Sequence, residues 1–325
     1  MTTEPSFDRA SLIERLSTVV GIPVVPFDEH GDVDHPLLGS LIDRLVAAGV
    51  TALTPNGNTG EFYALSPEER RAVLLTVAHA AAGRAVLVGG VGLDLATAVS
   101  DARFARDAGV DAVMVHQPVL PYLSPEGWVE YNVTVARAVP EIGVVPYLST
   151  PLVTGAHIAR LIDRAPNVVA LKYSVPDPVV FASVRAEAAA GTSADVLWIA
   201  GLAESYAPAY WQGGARAFTS GLVNVVPAKS LDMLDALRAN DPAEAERVWR
   251  SIRHFEHLRA RRRSADNVAV VKEAMHQLGL CRRDLRPPSA PLSARAREEV
   301  TESIASWSAP PPTTTAGTPS VGVPA

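Results

Sequence analysis

The stretch Val168-Val169-Ala170-Leu171-Lys172-Tyr173-Ser174, preceded by Pro166-Asn167, decides the fold. It is short, apolar and rich in β-branched residues, with turn formers in front, and so reads as a buried strand. It also carries a lysine, in a chain whose only lysines are Lys172, Lys229 and Lys272. A buried amine is paired with a carboxylate, led out to water along its own stem, or kept for chemistry. Desolvation by apolar walls lowers its pKa and makes it a nucleophile toward carbonyl carbon.

Working outward, seven more runs of the same character occur, at residues 19–27, 51–57, 85–91, 111–117, 143–149, 195–201 and 215–221. A helical stretch separates each from the next. Ser66-Pro67-Glu68-Glu69 has the capping-box pattern with proline in the first turn, and Ser124-Pro125-Glu126 is similar. Ala48-Gly49-Val50, Ala108-Gly109-Val110 and Gly213-Gly214-Ala215 place glycine where a helix must end in a left-handed cap before the next strand. Strands alternating with helices in this way predict an α/β fold, a parallel (β/α)8 TIM barrel. An open doubly wound sheet is the rival. No Gly-x-Gly-x-x-Gly follows the first strand, which weakens its dinucleotide-binding form. The expected organisation is an N-terminal helix within residues 1–18, the barrel over 19–240 and a C-terminal helical extension over 241–308. The extension's helices are read at 242–261, 265–278 and 294–307. The Pro/Thr/Gly/Ser-rich tail 309–325 is expected to be disordered.

Of the 325 residues, 48% are hydrophobic, enough for a large core. A net charge of −6 argues against nucleic acid or an anionic membrane as partner. The basic run Arg259-Ala260-Arg261-Arg262-Arg263 reads as a solvated helix end. One cysteine, Cys281, excludes an intramolecular disulfide. It suits a reducing, cytoplasmic setting, as does a polar N-terminus without a signal-peptide pattern. His254 and His257 lack a third ligand at sensible spacing, so no metal is expected.

In such barrels the C-terminal ends of the strands carry the chemistry. The second strand ends in Gly57-Asn58-Thr59-Gly60-Glu61, whose amides and side chains suit a carboxylate; Glu61 more naturally ties the loop together. In the fifth strand Val145 and Tyr147 share a face, as do Ala170 and Lys172 in the sixth. If both faces point inward, Tyr147 lies beside Lys172, and a phenol there can move protons during imine formation. Otherwise it is a packed core tyrosine. His116, after the fourth strand, is an acid/base or a structural rim histidine. Gly201-Leu202-Ala203-Glu204 ends the seventh strand. Thr219-Ser220-Gly221, with Asn224 beyond, ends the eighth, where small hydroxyl residues contact substrate or cap the next helix.

Three motifs in order, Gly57-Asn58-Thr59-Gly60-Glu61, Tyr147 and Lys172, resemble those of the dihydrodipicolinate synthase and N-acetylneuraminate lyase family of class I aldolases. The resemblance runs from about Ile22 to Leu292. It implies that Lys172 forms a Schiff base with a 2-oxo acid and that Tyr147 relays protons. It further implies a loop holding the substrate carboxylate, a homotetramer, and no metal or organic cofactor. Several positions depart from true synthases. Asn58 stands where the first of two threonines is usual. Val119 and Leu120 fall where an aromatic pair is expected, with Tyr122 nearby but out of register. Leu152 replaces an arginine that would hold the second substrate's carboxylate. Asn58-Thr59-Gly60-Glu61-Phe62, Glu204-Ser205-Tyr206-Ala207-Pro208-Ala209-Tyr210 and the stretch from Ser220 through Asn224 to Pro227 look like the subgroup containing 5-dehydro-4-deoxyglucarate dehydratase. Leu148 and Tyr173 depart from that subgroup's asparagine and acidic residue.

The expected activity is that of a Schiff-base lyase on a 2-oxo acid, first a decarboxylating dehydratase of a deoxy-keto sugar acid. The alternatives are a pyruvate-releasing aldolase and a non-catalytic ligand-binding barrel. The candidate site comprises Lys172 and Tyr147 as catalytic residues, with Gly57, Asn58, Thr59, Gly60, Ser220 and Gly221 binding substrate.

Overall fold

The computed structural model describes residues 7–119 and 122–308. The tail 309–325, the first six residues and Leu120 lie outside the described residues, and with them the expectations placed there. A leading helix α1 (Arg9–Leu16) precedes eight strands: β1 (Val19–Gly21), β2 (Ala52–Leu53), β3 (Val86–Val91), β4 (Ala112–Val115), β5 (Gly143–Leu148), β6 (Ala170–Tyr173), β7 (Leu197–Ala200) and β8 (Ala217–Ser220). Each pairs in parallel with the next, and β8 closes onto β1 through Gly21 opposite Ser220. The barrel is therefore closed. The intervening helices are α2 (His35–Ala47), α3 (Pro67–Ala81), α4 (Leu95–Asp107), α5 (Pro125–Ala138), α6 (Gly155–Arg164), α7 (Pro178–Gly191), α8 (Ala207–Gln212) and α9 (Pro227–Arg238).

Strand parity sorts the core into two layers. Val20, Ala52, Val86, Val88, Ala112, Met114, Val145, Ala170 and Ile199 fill the barrel interior, where Leu12 and Leu16 of α1 join them. Their strand neighbours Val19, Leu53, Leu87, Val113, Val144, Leu171, Trp198 and Phe218 face the helices. Each fully buried aliphatic side chain contributes about 1.5–3 kcal/mol. One parity therefore sends Val145 and Ala170 inward, and Tyr147 and Lys172 with them.

The helix signals act as their chemistry requires. Ser66 Oγ accepts from Glu69 N at 3.2 Å while Glu69 Oε2 accepts from Ser66 N at 2.8 Å. Ser124 Oγ caps α5 by accepting from Gly127 N. Gly49 and Gly109 sit at φ +95° and +80°, the left-handed geometry that glycine adopts without a Cβ clash.

Two strands are shorter than their apolar runs. Only Val19–Gly21 of the run 19–27 is laddered; Pro23 and Pro26 lack the amide hydrogen that pairing needs. The ladder of the run 51–57 ends at Leu53; after Thr54 come Pro55 and then Asn56, turned to φ +59°.

The C-terminal extension is α10 (Pro242–Ser264), α11 (Asn267–Gln277) and α12 (Ala294–Ser308). Ile252, Phe255, Leu258, Val271, Met275 and Val300 form its own core. That core continues into Val24, Leu222 and Val225 at the barrel mouth. Helical geometry in α10 breaks at Arg261, Arg262 and Arg263, the last two in the left-handed region. No helix among the described residues is long and apolar enough to cross a membrane.

Candidate active site

Lys172 projects from β6 into the barrel mouth with 3% of its surface exposed. Tyr147 is its register partner on β5. The ammonium nitrogen lies 4.4 Å from the centre of the Tyr147 ring and 3.7 Å from Met114 Sδ. Among the described residues no carboxylate pairs with Lys172, which removes the ion-pair explanation of its burial. Desolvation lowers its pKa from the usual lysine value to about 8. The Tyr147 phenol moves upward, also through burial, against an opposing influence from Ser174 and Asn58 nearby. Its proton is therefore held at neutral pH and available to donate. Ser174 Oγ is buried there without a hydrogen-bond partner among the described residues.

Lys172 and Tyr147 open onto a cavity of about 210 Å³ whose wall includes Asn58, Thr59, Thr219 and Gly221. A larger groove between α8 and α10, bordered by Pro208 and Trp249, contains neither the lysine nor the tyrosine. Chemistry rather than size thus singles out the smaller cavity.

The loop after β2 forms a short 3-10 turn over Asn58–Gly60. Gly57 and Gly60 do not line the cavity but permit close packing. A Cβ on Gly57 would lie 2.5 Å from Ile22 Cγ2, and one on Gly60 3.0 Å from the Pro23 carbonyl oxygen. Glu61, in the left-handed region at φ +56°, turns away from the cavity. Its carboxylate pairs with Lys272 of α11 and accepts from Arg286 N at 3.1 Å. Lys272, fully buried, also donates to the Asp284 carbonyl and lies 4.1 Å from the centre of the Phe27 ring. Glu61 therefore ties its loop to the extension.

Ser220 is not brought to the cavity wall. Its hydroxyl lies 3.0 Å from Ser230 Oγ and accepts from Val223 N at 3.1 Å, so it caps the turn after β8. Ser230 in turn donates to Glu204 Oε1 at 2.6 Å. Burial, reinforced by nearby Glu256, raises the Glu204 carboxyl well above the usual carboxylate range. Asn224 bridges the Ile22 and Gly221 carbonyls and accepts from Val24 N, a structural role.

His116 is structural too. Its Nε2 lies 2.8 Å from the Asn56 carbonyl, and its ring stacks on Phe62 with centroids 4.1 Å apart. Burial drives its pKa down to about 3, so it stays neutral at ordinary pH and is only weakly basic. Tyr122 and Val119 are exposed, as is Leu152. None of them lines the cavity.

The reading of the arginine run as a solvated helix end is overturned at its first member. Arg259 is buried, 5% exposed, and lines the cavity with Glu256 and Asn267. Arg261, Arg262 and Arg263 reach solvent instead. A spacing signal was present: Ile252, Phe255 and Arg259 fall at i, i+3 and i+7, on the buried stripe of α10.

Residues 15–306 match the model of the Dihydrodipicolinate synthetase family. The chain belongs to this family. Among its relatives, the "Probable 5-dehydro-4-deoxyglucarate dehydratase" of Methylobacterium radiotolerans is 30% identical over 89% of this chain and 94% of its own. A protein of Streptomyces coelicolor with the same description, numbered 1, is 30% identical over 91% of this chain and 94% of its own. Among solved structures, the dihydrodipicolinate synthase of Oceanobacillus iheyensis superposes with a TM-score of 0.87 at 37% identity, covering 92% of this chain and 99% of that one. The Dihydrodipicolinate synthetase family match spans both the barrel strands and most of the extension that carries Arg259 and Lys272.

Proposed function

We propose that the protein is a lysine Schiff-base lyase that dehydrates and decarboxylates a deoxy-keto sugar acid. The observation that carries this reading is a buried Lys172, without a carboxylate partner among the described residues and with its pKa lowered to about 8, beside the ring of Tyr147. In the proposed cycle the turn at Asn58 and Thr59 orients the substrate carboxylate. Neutral Lys172 adds to the keto carbon, and Tyr147 donates a proton to the departing oxygen, which leaves as water. The iminium withdraws electrons from the neighbouring carbon, whose proton is lost, and the resulting enamine expels the β-hydroxyl as water to leave a conjugated iminium. The far carboxylate then departs as carbon dioxide, its bonding pair passing into that conjugated system, and after reprotonation water hydrolyses the imine to free the shortened oxo acid and Lys172. The dehydratase names of the relatives support this outcome over aldol cleavage.

The likeness to the Oceanobacillus iheyensis dihydrodipicolinate synthase makes synthase activity the second reading. Against it stands the exposed Leu152 in place of the arginine expected for the second substrate's carboxylate, with Val119 also out on the surface. The test is product analysis. A deoxy-keto sugar diacid should yield carbon dioxide and a shortened oxo acid. Pyruvate plus an aldehyde would identify an aldolase. No turnover of any sugar acid would overturn the dehydratase reading. We further propose the homotetramer that the resemblance implies, which light scattering would check.

A further inference from the structure

Loss of the α-proton beside an iminium needs a base, and departure of a β-hydroxyl as water needs an acid. The nitrogen of Lys172 is committed to the imine, and burial keeps the Tyr147 phenol protonated. His116 is not on the cavity wall. Among the described residues that line the cavity, Glu256 of α10 is the one carboxylate. The other polar groups there are amides, hydroxyls and the Arg259 guanidinium, which do not take a carbon-bound proton at neutral pH.

The two oxygens of Glu256 are unequally held. Oε1 accepts from Arg259 Nη1 at 2.5 Å, whereas Oε2 has only the Ser205 hydroxyl, at a long 3.5 Å, among the described residues. Arg259 is itself fixed, its Nε donating to Asn267 Oδ1 at 2.9 Å. The carboxylate is thus oriented through one oxygen and keeps the other for a ligand. Both partners of this ion pair are buried, Glu256 at 4% exposed and Arg259 at 5%. A pair so deep is costly to desolvate and is weak evidence for stability. Apolar side chains would hold this part of α10 as well, as Ile252 and Phe255 do on the same stripe. The pair also lies at the working end of the cavity. A Cβ on Gly221 would lie 2.5 Å from Arg259 Nη2 and 3.3 Å from Thr59 Oγ1. Glu256 is therefore brought to the end where Asn58 and Thr59 meet the carboxylate next to the ketone.

We propose that Glu256 is the acid/base residue of the dehydration: Oε2 takes the α-proton of the iminium and then delivers it to the departing β-hydroxyl. This rests on the imine reading of Lys172 and assigns the proton transfers of that same site. In the first half the C–H electron pair becomes the enamine double bond, and the iminium pair withdraws onto nitrogen. In the second half the nitrogen pair returns, the C–O bond breaks toward oxygen, and the Glu256 carboxyl proton completes the water. The carboxylate is restored, so no co-reactant is consumed. Because one group serves both halves, hydrogen and hydroxyl leave from the same face of the substrate.

The test is methyl exchange of pyruvate in heavy water, followed by proton NMR with the full chain, beside borohydride trapping from the same samples. Pyruvate can form the imine but has no β-hydroxyl, so exchange reports the first proton transfer alone. Wild type should exchange the methyl protons, and Lys172→Ala should not. Glu256→Gln keeps an oxygen for Arg259 Nη1. It should slow exchange about 10²- to 10⁴-fold and leave the amount of trapped adduct within about twofold. Glu256→Asp keeps the charge but withdraws the oxygens by one methylene, and should slow exchange about 10- to 100-fold. It covers the case in which Glu256→Gln does not fold. Exchange at the wild-type rate in either variant would overturn the proposal. So would exchange and adduct lost together from folded variant protein, since Glu256 would then only hold the site in shape. No adduct in wild type would overturn the underlying imine reading instead, a result distinct from an adduct whose exchange ignores Glu256.

Discussion

The Lys272–Glu61 pair joins the loop after β2 to the extension, and its removal has a calculable cost. Both side chains are buried, and Lys272 is wholly inaccessible. In Lys272→Met the methionine fills the volume, but the Glu61 carboxylate keeps only the Arg286 amide as a named partner. Breaking a buried ion pair from one side costs about 3–5 kcal/mol, because the remaining charge is stranded. The double variant Glu61→Gln/Lys272→Met removes both charges and should recover at least about 2 kcal/mol of that loss. Urea unfolding followed by tryptophan fluorescence at one protein concentration gives the four corners of the cycle. A functional consequence accompanies the energy. The turn at Asn58–Gly60 is anchored through Glu61, so Lys272→Met should also raise the pyruvate concentration needed for half-maximal trapping. Single losses below about 1 kcal/mol that simply add would refute the clamp.

Three further outcomes are expected. With Lys172 at about 8, about a tenth of the amine is neutral at pH 7, against about 3 in 10⁴ for an ordinary lysine, so trapping rates should rise tenfold per pH unit and level off above about pH 8. A rise that continues beyond pH 10 would contradict this. Tyr147→Phe should lower turnover about 10²- to 10⁴-fold while pyruvate can still be trapped slowly, measured by single-turnover kinetics; unchanged turnover would remove Tyr147 from proton transfer. Glu204 is raised in the folded state and so binds more protons there than when unfolded. Stability should therefore fall as pH rises from the ordinary carboxylate range toward neutrality, and Glu204→Gln should flatten that part of the melting profile. A fall retained in Glu204→Gln would assign it to another group.

The barrel was legible because its signals are local. Glycines 49 and 109 mark helix ends whatever the helices pack against, and a period of two assigns Tyr147 and Lys172 to one face before any contact is known. Strand lengths were less legible, since the prolines at 23 and 26 interrupt pairing inside a run that stays buried and apolar. Ser220 was misplaced for a tertiary reason: a small hydroxyl beside a cavity goes where its partners are, and Ser230 and Val223 N lie behind it. The extension's share of the site was the least legible. Arg259 sits in a run of arginines whose other members are solvated, and only its place on the Ile252–Phe255 stripe separates it from them. Lys272 lies 211 residues from Glu61, so nothing in the local sequence of either announces the pair.

The most direct test of the central claim is borohydride trapping with pyruvate followed by peptide mapping. The account predicts a stable adduct on the peptide containing Lys172, absent from Lys172→Ala. An adduct on Lys229 or Lys272, or none from protein shown to be folded, would contradict it.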